Sequence, residues 1–355
     1  MIRSLLITIL LMLSSATLRA QSNQPTKSLA ERLGYPADAK LVIVHADDLG
    51  MAHSINEATM KALASGLVNS GSIMIPCSWV PEIAAYARAN PQADLVIGTS
   101  ASSMAVFANE GMLQPYAPKG LDKIPARYRD SQNPPRWVGM DVYGAAICFN
   151  TVEAQKQNLP KPASWKDLTK PVYKGKIVMP NPASSGTGFL DVSGWLQMWG
   201  EQDAWKFMDA LHENVGVYTH SGSQPCKQAG AGEFPIGISF EYRAMATKKS
   251  GAPVDIVFPS EGLGWDLEAS GIMKTTKKMA AAEKLMDWLA TPDAMKLFAD
   301  NFAVVAMPGM SKQLEFIPVD YEKHLIKNDF EWSAKNRDRI LAEWTKRYNS
   351  KSLPK

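Results

Sequence analysis

The stretch Asn181-Pro182-Ala183-Ser184-Ser185-Gly186-Thr187-Gly188-Phe189 lies between two regular elements that its flanks predict. The apolar run from Lys176 to Met179 before it is typical of a buried strand. Residues Phe189 to Trp199 after it carry apolar side chains at helical spacing. The sequence therefore predicts a strand, a tight turn and a helix start, which is the repeating unit of an α/β fold.

Hydrogen-bond donors are concentrated in this turn. Backbone N–H groups at a helix start have no partner inside the helix, and Ser184, Ser185 and Thr187 add hydroxyls beside them. Gly186 has no side chain, so a ligand can approach the backbone closely there. The turn is thus a candidate socket for a phosphate, phosphonate or carboxylate, and the alternative is an ordinary capped turn.

Length and charge limit the classes of protein to consider. A chain of 355 residues is long enough for two domains with separate cores. The net charge is +3 with 21% charged residues, and no run rich in Lys and Arg stands out. We therefore expect no nucleic-acid partner.

The first residues predict export. Residues 1–20 combine a short positive start with an apolar core too brief to span a bilayer, and they end in Leu18-Arg19-Ala20. This pattern predicts a cleaved signal peptide, followed by a polar linker over residues 21–36. We expect the mature chain to be periplasmic.

The chain has three widely spaced cysteines, Cys77, Cys148 and Cys226, which form no metal-binding pattern. One disulfide is compatible with an oxidising compartment, although the sequence does not choose the pair. Buried free thiols are the default expectation.

The N-terminal part of the mature chain predicts a βαβαβ unit with parallel strands. Its expected strands and helices are Lys40 to Val44, Ser54 to Ser65, Val68 to Ile75, Val80 to Ala89 and Asp94 to Ile97. The run His45-Ala46-Asp47-Asp48-Leu49-Gly50 follows the first strand, where such folds place their chemistry.

Residues 37–94 resemble the YdjC-type carbohydrate deacetylases through the runs Val44 to Gly50, Ile55 to Ala58 and Ser70 to Met74. That resemblance implies a barrel-like α/β fold, with Asp47 as base and Asp48 as ligand to a divalent metal such as Zn or Mg. No histidine lies between His53 and His212, so the family's metal-binding histidines have no matching position. A catalytic metal normally needs about three protein ligands, so we expect an incomplete deacetylase.

Residues 95–355 resemble periplasmic substrate-binding proteins of ABC importers, in the group related to ferric-iron and 2-aminoethylphosphonate binding proteins. The matching runs include Thr99 to Met104, Trp137 to Tyr143, Asn181 to Gly188, Ser221 to Ser223 and Pro259 to Gly262. The resemblance implies two α/β lobes that close on a ligand. Iron-binding relatives carry an adjacent pair of tyrosines where this chain has Tyr242 alone, so iron is not the expected ligand.

The fold class that follows is α/β, a two-lobed periplasmic-binding-protein-like (type II) fold. Its first βαβαβ is replaced by the deacetylase-barrel-like segment of residues 37–94, and residues 95–355 supply the rest of the first lobe, the hinge and the second lobe. We interpret the chain as a chimera, which is either natural or artificial.

Candidate ligand-binding residues lie at predicted strand and helix ends. Hydroxyl and backbone donors are expected to bind the anion, Tyr242 is a further donor, and Glu241 or Asp141 is expected to hold an amine. The predicted set is Ser100, Ser102, Tyr143, Ser184, Ser185, Gly186, Thr187, Ser221, Ser223, Glu241, Tyr242 and Glu261.

The leading hypothesis is a monomeric solute-binding protein without a cofactor, which delivers a small phosphonate to a membrane permease. The alternative is a metal-dependent carbohydrate N-deacetylase that uses Asp47 and Asp48. A third hypothesis is that the fused chain does neither and folds only in its second lobe.

Overall fold

A computed structural model describes residues 36, 38–39, 45–66, 68, 70–73, 82–83, 93–302 and 304–354. The predicted signal peptide, nearly all of the linker, the strand expected at residues 40–44 and Cys77 lie outside these residues. Within the described part, no helix is both long and apolar enough to cross a membrane.

The strands in chain order are β1 (His45–Leu49), β2 (Ser70–Ile73), β3 (Leu95–Ser100), β4 (Leu113–Gln114), β5 (Val138–Asn150), β6 (Ile177–Pro180), β7 (Val215–Thr219), β8 (Ile236–Phe240), β9 (Val254–Val257), β10 (Trp265–Met273) and β11 (Val304–Val305).

The helices are α1 (His53–Ala64), α2 (Ala101–Asn109), α3 (Thr151–Lys156), α4 (Gly186–Asn214), α5 (Gln224–Ala231), α6 (Glu241–Lys249), α7 (Met279–Leu289), α8 (Pro292–Phe298), α9 (Tyr321–His324) and α10 (Phe330–Tyr348). Short 3₁₀ turns lie at Leu121–Lys123, Ala126–Tyr128, Lys166–Thr169, Pro171–Tyr173 and Asn349–Lys351.

Strand β5 crosses from one lobe to the other. Its first half pairs antiparallel with β10, with Asp141 opposite Glu268 and Tyr143 opposite Asp266. Its second half pairs antiparallel with β8 and β9. The described strands from β3 onward form a nine-stranded sheet in the order β3-β10-β5-β8-β6-β7, with β4, β9 and β11 attached at its sides.

The two halves of this sheet have separate cores, as the two-lobed prediction requires. One core gathers residues of α2, the first half of β5, β10, α7 and α8 around Met140, Leu267 and Met295. The other gathers the second half of β5, β6, β8 and α4 around Ile147, Trp165 and Trp195. The type II binding-protein architecture predicted from the sequence is confirmed.

Helix α10 contacts both lobes. Phe330 at its first turn belongs to the first core, while Ile340 and Trp344 belong to the second. This amphipathic helix therefore packs across the junction of the two lobes.

The predicted βαβαβ sheet is wrong in one respect. Strands β1 and β2 pair in parallel in a small sheet of their own, whereas β3 pairs antiparallel with β10 in the large sheet. The third strand of the predicted βαβαβ unit thus serves as the edge strand of the binding-protein lobe. Its antiparallel partner comes from far along the chain, which local periodicity does not reveal.

The helix predicted from residue 189 is part of α4, which continues to Asn214 through a kink at Gly200. Gly200 has φ of 75°, a conformation that glycine adopts without steric cost.

The expectation of buried free thiols is wrong for Cys148 and Cys226. These cysteines form a disulfide that joins β5 to α5, with Cα atoms 5.3 Å apart. The sequence offered several pairings, and only the packing of α5 on the sheet brings this pair together.

Candidate functional site

One face of the crossing strands is polar although both strands are largely buried. Asp141 and Tyr143 on β5 alternate with Val142, which lies in the first core. On β10, Asp266 and Glu268 point to the same face as Asp141 and Tyr143, because directly opposite residues share a face. This polar face lies at the junction of the lobes, because β5 pairs with strands of both.

The predicted residues Ser100 and Ser102 lie at the start of α2 beside this face. Ser100 caps the helix by accepting a hydrogen bond from the N–H of Ser103. The N–H of Ser102 donates to Asp266 Oδ1 at 3.3 Å. The structure therefore brings the first-lobe hydroxyls next to the polar face of β10.

The socket at residues 184–187 starts α4 as predicted, and its hydroxyls have partners or close neighbours. Ser185 caps the helix by accepting from the N–H of Gly188. Ser184 Oγ lies 2.6 Å from His220 Nδ1, and His220 Nε2 lies 2.8 Å from the carbonyl oxygen of Leu353. Because that carbonyl only accepts, Nε2 carries the proton, and Nδ1 faces the Ser184 hydroxyl. Gly186 is half-buried and remains accessible.

The loop at residues 221–223 packs directly on this socket. A Cβ added to Gly222 would lie 2.2 Å from Thr187 Oγ1 and 3.1 Å from Ser185 Oγ. Ser239 Oγ donates to the Gly222 carbonyl at 2.5 Å and holds the loop. Ser223 is the residue before α5, and Ser221 is exposed beside it. The structure thus joins the two loops that the sequence predicted separately.

Glu241 and Tyr242 open helix α6 at the end of β8. Glu241 is fully buried, and its Oε2 accepts from the N–H of Gly144 at 2.8 Å. Tyr242 stacks on Phe240 and on Phe302, with centroids 6.3 and 5.5 Å apart. Tyr143 contacts Phe240 edge to face. An aromatic wall therefore adjoins the carboxylates.

Arg337 on α10 is a site residue that the sequence reasoning did not single out. Its guanidinium carbon lies 4.1 Å from the centroid of the Phe189 ring, in the first turn of α4. It also faces Asp266 and Tyr143, which raise the pKa of Arg337, whereas burial, the larger effect, lowers it. Among the described residues the guanidinium makes no hydrogen bond. Arg337 therefore places a cation between the second-lobe socket and the first-lobe polar face.

Burial shifts the pKa of the carboxyl groups upward. It raises the pKa of Glu241 to about 8, of Glu268 to about 7 and of Asp266 to about 6. Burial, together with the charges of Glu268 and Glu241, raises the pKa of Asp141 well above its usual range. The donors at Asp266, which are the N–H groups of Ser102 and Leu267, partly offset its burial.

Glu261 lies at a different junction and has protein partners. Its two carboxylate oxygens accept from the N–H groups of Trp165 and Lys166, at 2.9 and 3.1 Å. Glu261 therefore connects the loop before β10 to the segment that begins at Trp165. Its contact with a ligand stays a prediction.

The deacetylase-like residues Asp47 and Asp48 lie within β1, and not past the end of a strand as predicted. Their side chains lie outside the described part of the structure. Among the side chains that are described, no group of three or more His, Cys, Asp and Glu is placed to hold a metal ion.

Asp266, Glu268 and Arg337 were not predicted from the sequence, and they differ in whether a sequence pattern indicates them. Asp266 and Glu268 are acidic at alternate positions of an otherwise apolar run, Trp265-Asp266-Leu267-Glu268-Ala269, which indicates a strand with one polar face. Arg337 sits among other charged residues in an amphipathic helix, and no local pattern distinguishes it from them.

Comparison with known proteins places these features in a family. Residues 90–332 match the family model described as bacterial extracellular solute-binding protein. Residues 41–103 match the model of YdjC-like proteins. The two resemblances seen in the sequence are both found, and the matches overlap around the expected join near residue 94.

Two individual proteins are also similar in sequence to this chain. The chain is 30% identical over 266 residues to an uncharacterized protein of Haemophilus influenzae, covering 72% of this chain and 76% of that protein. It is 26% identical over 226 residues to a probable ABC transporter periplasmic-binding protein, y4fP, of Sinorhizobium fredii, covering 61% of each.

A solved structure supports the fold. The periplasmic binding protein AfuA from Actinobacillus pleuropneumoniae, described with exogenous fructose-6-phosphate bound, superimposes with a TM-score of 0.71 at 24% identity. The superposition covers 86% of this chain and 98% of AfuA. Because the family model matches residues 90–332, which are most of this chain, the chain belongs to the bacterial extracellular solute-binding proteins.

Proposed function

We propose that this protein is the periplasmic solute-binding component of an ABC importer and that it binds a small phosphonate of the 2-aminoethylphosphonate type between its lobes. The observation that carries the ligand class is the placement of Arg337. Its guanidinium lies over the Phe189 ring in the first turn of α4 and close to Asp266, and it makes no hydrogen bond among the described residues. A guanidinium beside free helix N–H groups suits the oxygens of a phosphonate or phosphate.

Donors from both lobes support this assignment. Gly186 at the start of α4 is accessible, and Ser100 and Ser102 start α2 opposite Arg337 through Asp266. An anion held by both helix starts and by Arg337 would contact each lobe. Such a ligand stabilises the closed arrangement, because it loses those contacts when the lobes separate.

The polar face of the crossing strands supplies acceptors. Asp141 and Glu241 lie near one another, and Asp141 lies near Glu268. Both carboxylate oxygens of Asp141 and the Oε1 of Glu241 have no hydrogen bond within the described structure. Acceptors of this kind suit a ligand that is not purely anionic. Delivery to a membrane permease, without chemistry, is the role that this family membership supports.

Titration calorimetry tests the proposal with 2-aminoethylphosphonate, inorganic phosphate and citrate on the purified mature chain. We expect heat and saturation with the phosphonate, and weaker heat with phosphate. Citrate serves as the test of an iron-and-carboxylate type of cleft. The absence of heat with all three compounds overturns the proposed ligand class.

A further inference from the structure

The carboxyl cluster on the polar face contains more acid than its surroundings neutralise. Asp141 is 0% exposed, and within the described structure neither of its carboxylate oxygens has a hydrogen-bond partner. Glu268 lies directly opposite it on β10. Glu241 is also 0% exposed, and its Oε1 is unpartnered among the described residues.

The groups that face this cluster do not balance it. From β10, Asp266 adds a fourth acid, while Tyr143 from β5 and Tyr321 from α9 are neutral phenols. Within the described part of the chain, the cation whose charge reaches the polar face is Arg337 on α10, and the acidic and phenol groups that act on it are Asp266, Asp338 and Tyr143. Several buried carboxylates so close together cannot all ionise without a counter-charge.

In the ligand-free protein, bound protons neutralise carboxyl groups of this cluster. Burial shifts the pKa of Glu241 to about 8 and of Glu268 to about 7, so these groups hold protons near neutral pH. Taking up a cation reverses the balance, since a nearby positive charge favours the ionised carboxylate. The packed rings of Tyr143, Phe240 and Tyr242 border this region, and Tyr143 interacts with Glu268 and Asp141.

We propose that Asp141, Glu241 and Glu268 bind the cationic group of the solute, and that this cation replaces protons held by the cluster in the empty cleft. The inference rests on the proposed function for the location of the ligand, and it adds the charge type and the pH response. Affinity for an amine-bearing ligand then rises with pH over the range from about 6 to 8, because fewer protons need to be displaced.

Matched ligands test the cationic group. Calorimetry compares 2-aminoethylphosphonate with ethylphosphonate, which lacks the amine. We expect the amine to strengthen binding by about 10-fold or more, as one charge-assisted hydrogen bond does. That difference should vanish in Glu241→Gln and Asp141→Asn, while Glu201→Gln, a change to a surface ion pair with Arg339, should retain it.

Proton exchange has its own readout. Repeating the titration in two buffers of different ionisation enthalpy counts the protons released, and we expect about one for the amine and none for ethylphosphonate. Equal affinity for both phosphonates, or no proton release with the amine, overturns the inference and leaves the proposed function standing.

A different result separates the two proposals. If neither phosphonate binds, the proposed function fails, and ethanolamine tests the cluster alone. Its binding with proton release, lost in Glu241→Gln, supports the cationic subsite. No binding of ethanolamine in that case overturns the subsite as well.

Discussion

The guanidinium of Arg337 lies 4.1 Å from the centroid of the Phe189 ring, and this contact joins the C-terminal helix to the first turn of α4. Asp266, on the other side of Arg337, accepts from the N–H of Ser102 at the start of α2. The positive charge of Arg337 thus lies close to the first turn of α4 and, through Asp266, is linked to the start of α2. The first prediction tests that arrangement.

Replacing Arg337 with Ala should weaken binding of 2-aminoethylphosphonate by about 10- to 100-fold, because a charge-assisted hydrogen bond to the phosphonate is lost. Arg337→Lys should recover part of the affinity, since it keeps the charge and loses the planar fork. Calorimetry on the two variants measures the effect.

The matched control is Arg339→Ala, two residues further along α10. Arg339 is half-exposed and pairs with Glu201. Wild-type affinity in Arg337→Ala, or an equal loss in Arg339→Ala, contradicts the assigned role of Arg337.

Gly222 should tolerate no side chain. The added Cβ of Gly222→Ala would lie 2.2 Å from Thr187 Oγ1 and would force the 221–223 loop away from the start of α4. We expect a loss of about 1–3 kcal/mol of unfolding free energy from the overpacking, together with weaker phosphonate binding. Chemical denaturation and calorimetry report the two effects.

Gly186→Ala provides the comparison for stability. A Cβ at Gly186 meets no atom within 4 Å in the described structure, so the unfolding free energy should stay within about 0.5 kcal/mol of wild type. If the two alanine variants lose equal stability, the close packing of Gly222 on Thr187 is not the cause.

The ligand-free protein should become less stable as pH rises from about 4 to about 8. The pKa values of Asp266, Glu268 and Glu241 are raised to about 6, 7 and 8, so the folded state holds protons that the unfolded chain releases from about pH 4 upward. This stabilising contribution is complete below the unfolded pKa and is lost as the pH passes the folded values.

Glu241→Gln should flatten that profile, because glutamine keeps an acceptor for the N–H of Gly144 without a titrating group. We expect its Tm at pH 8 to exceed that of wild type by about 3 °C or more. Melting curves from pH 5 to pH 8 measure it, with Glu201→Gln as the surface control. A wild-type Tm that increases steadily over this range contradicts the burial of these acids.

The disulfide between Cys148 and Cys226 should stabilise the fold. The cysteines are 78 residues apart, and closing a loop of that length removes entropy from the unfolded chain worth about 4 kcal/mol. A reductant should therefore lower the Tm of wild type. The double variant Cys148→Ser with Cys226→Ser should start lower and be insensitive to reductant. Peptide mapping that finds no 148–226 crosslink would refute the pairing.

Local patterns were sufficient wherever a feature depends on neighbouring residues. The turn at Ser184 to Gly188 starts a helix as its flanks predicted, and the strand predicted before it is present as β6. The binding-protein architecture also follows from residue patterns distributed in order along the chain. In contrast, β3 was expected to join the parallel strands of the N-terminal βαβαβ unit and instead pairs antiparallel with β10, because strand pairing depends on distant partners.

The sequence by itself determined the α/β class and the helix-start donors, because spacing and capping chemistry act over a few residues, and its resemblance to binding proteins implied the two lobes. The tertiary structure decided which of these features share a site. It placed Gly222 on Thr187, set Glu268 opposite Asp141 and brought Arg337 over Phe189. Each of these contacts depends on register or helix packing between distant segments, so it appears only once the lobes have folded around the crossing strands.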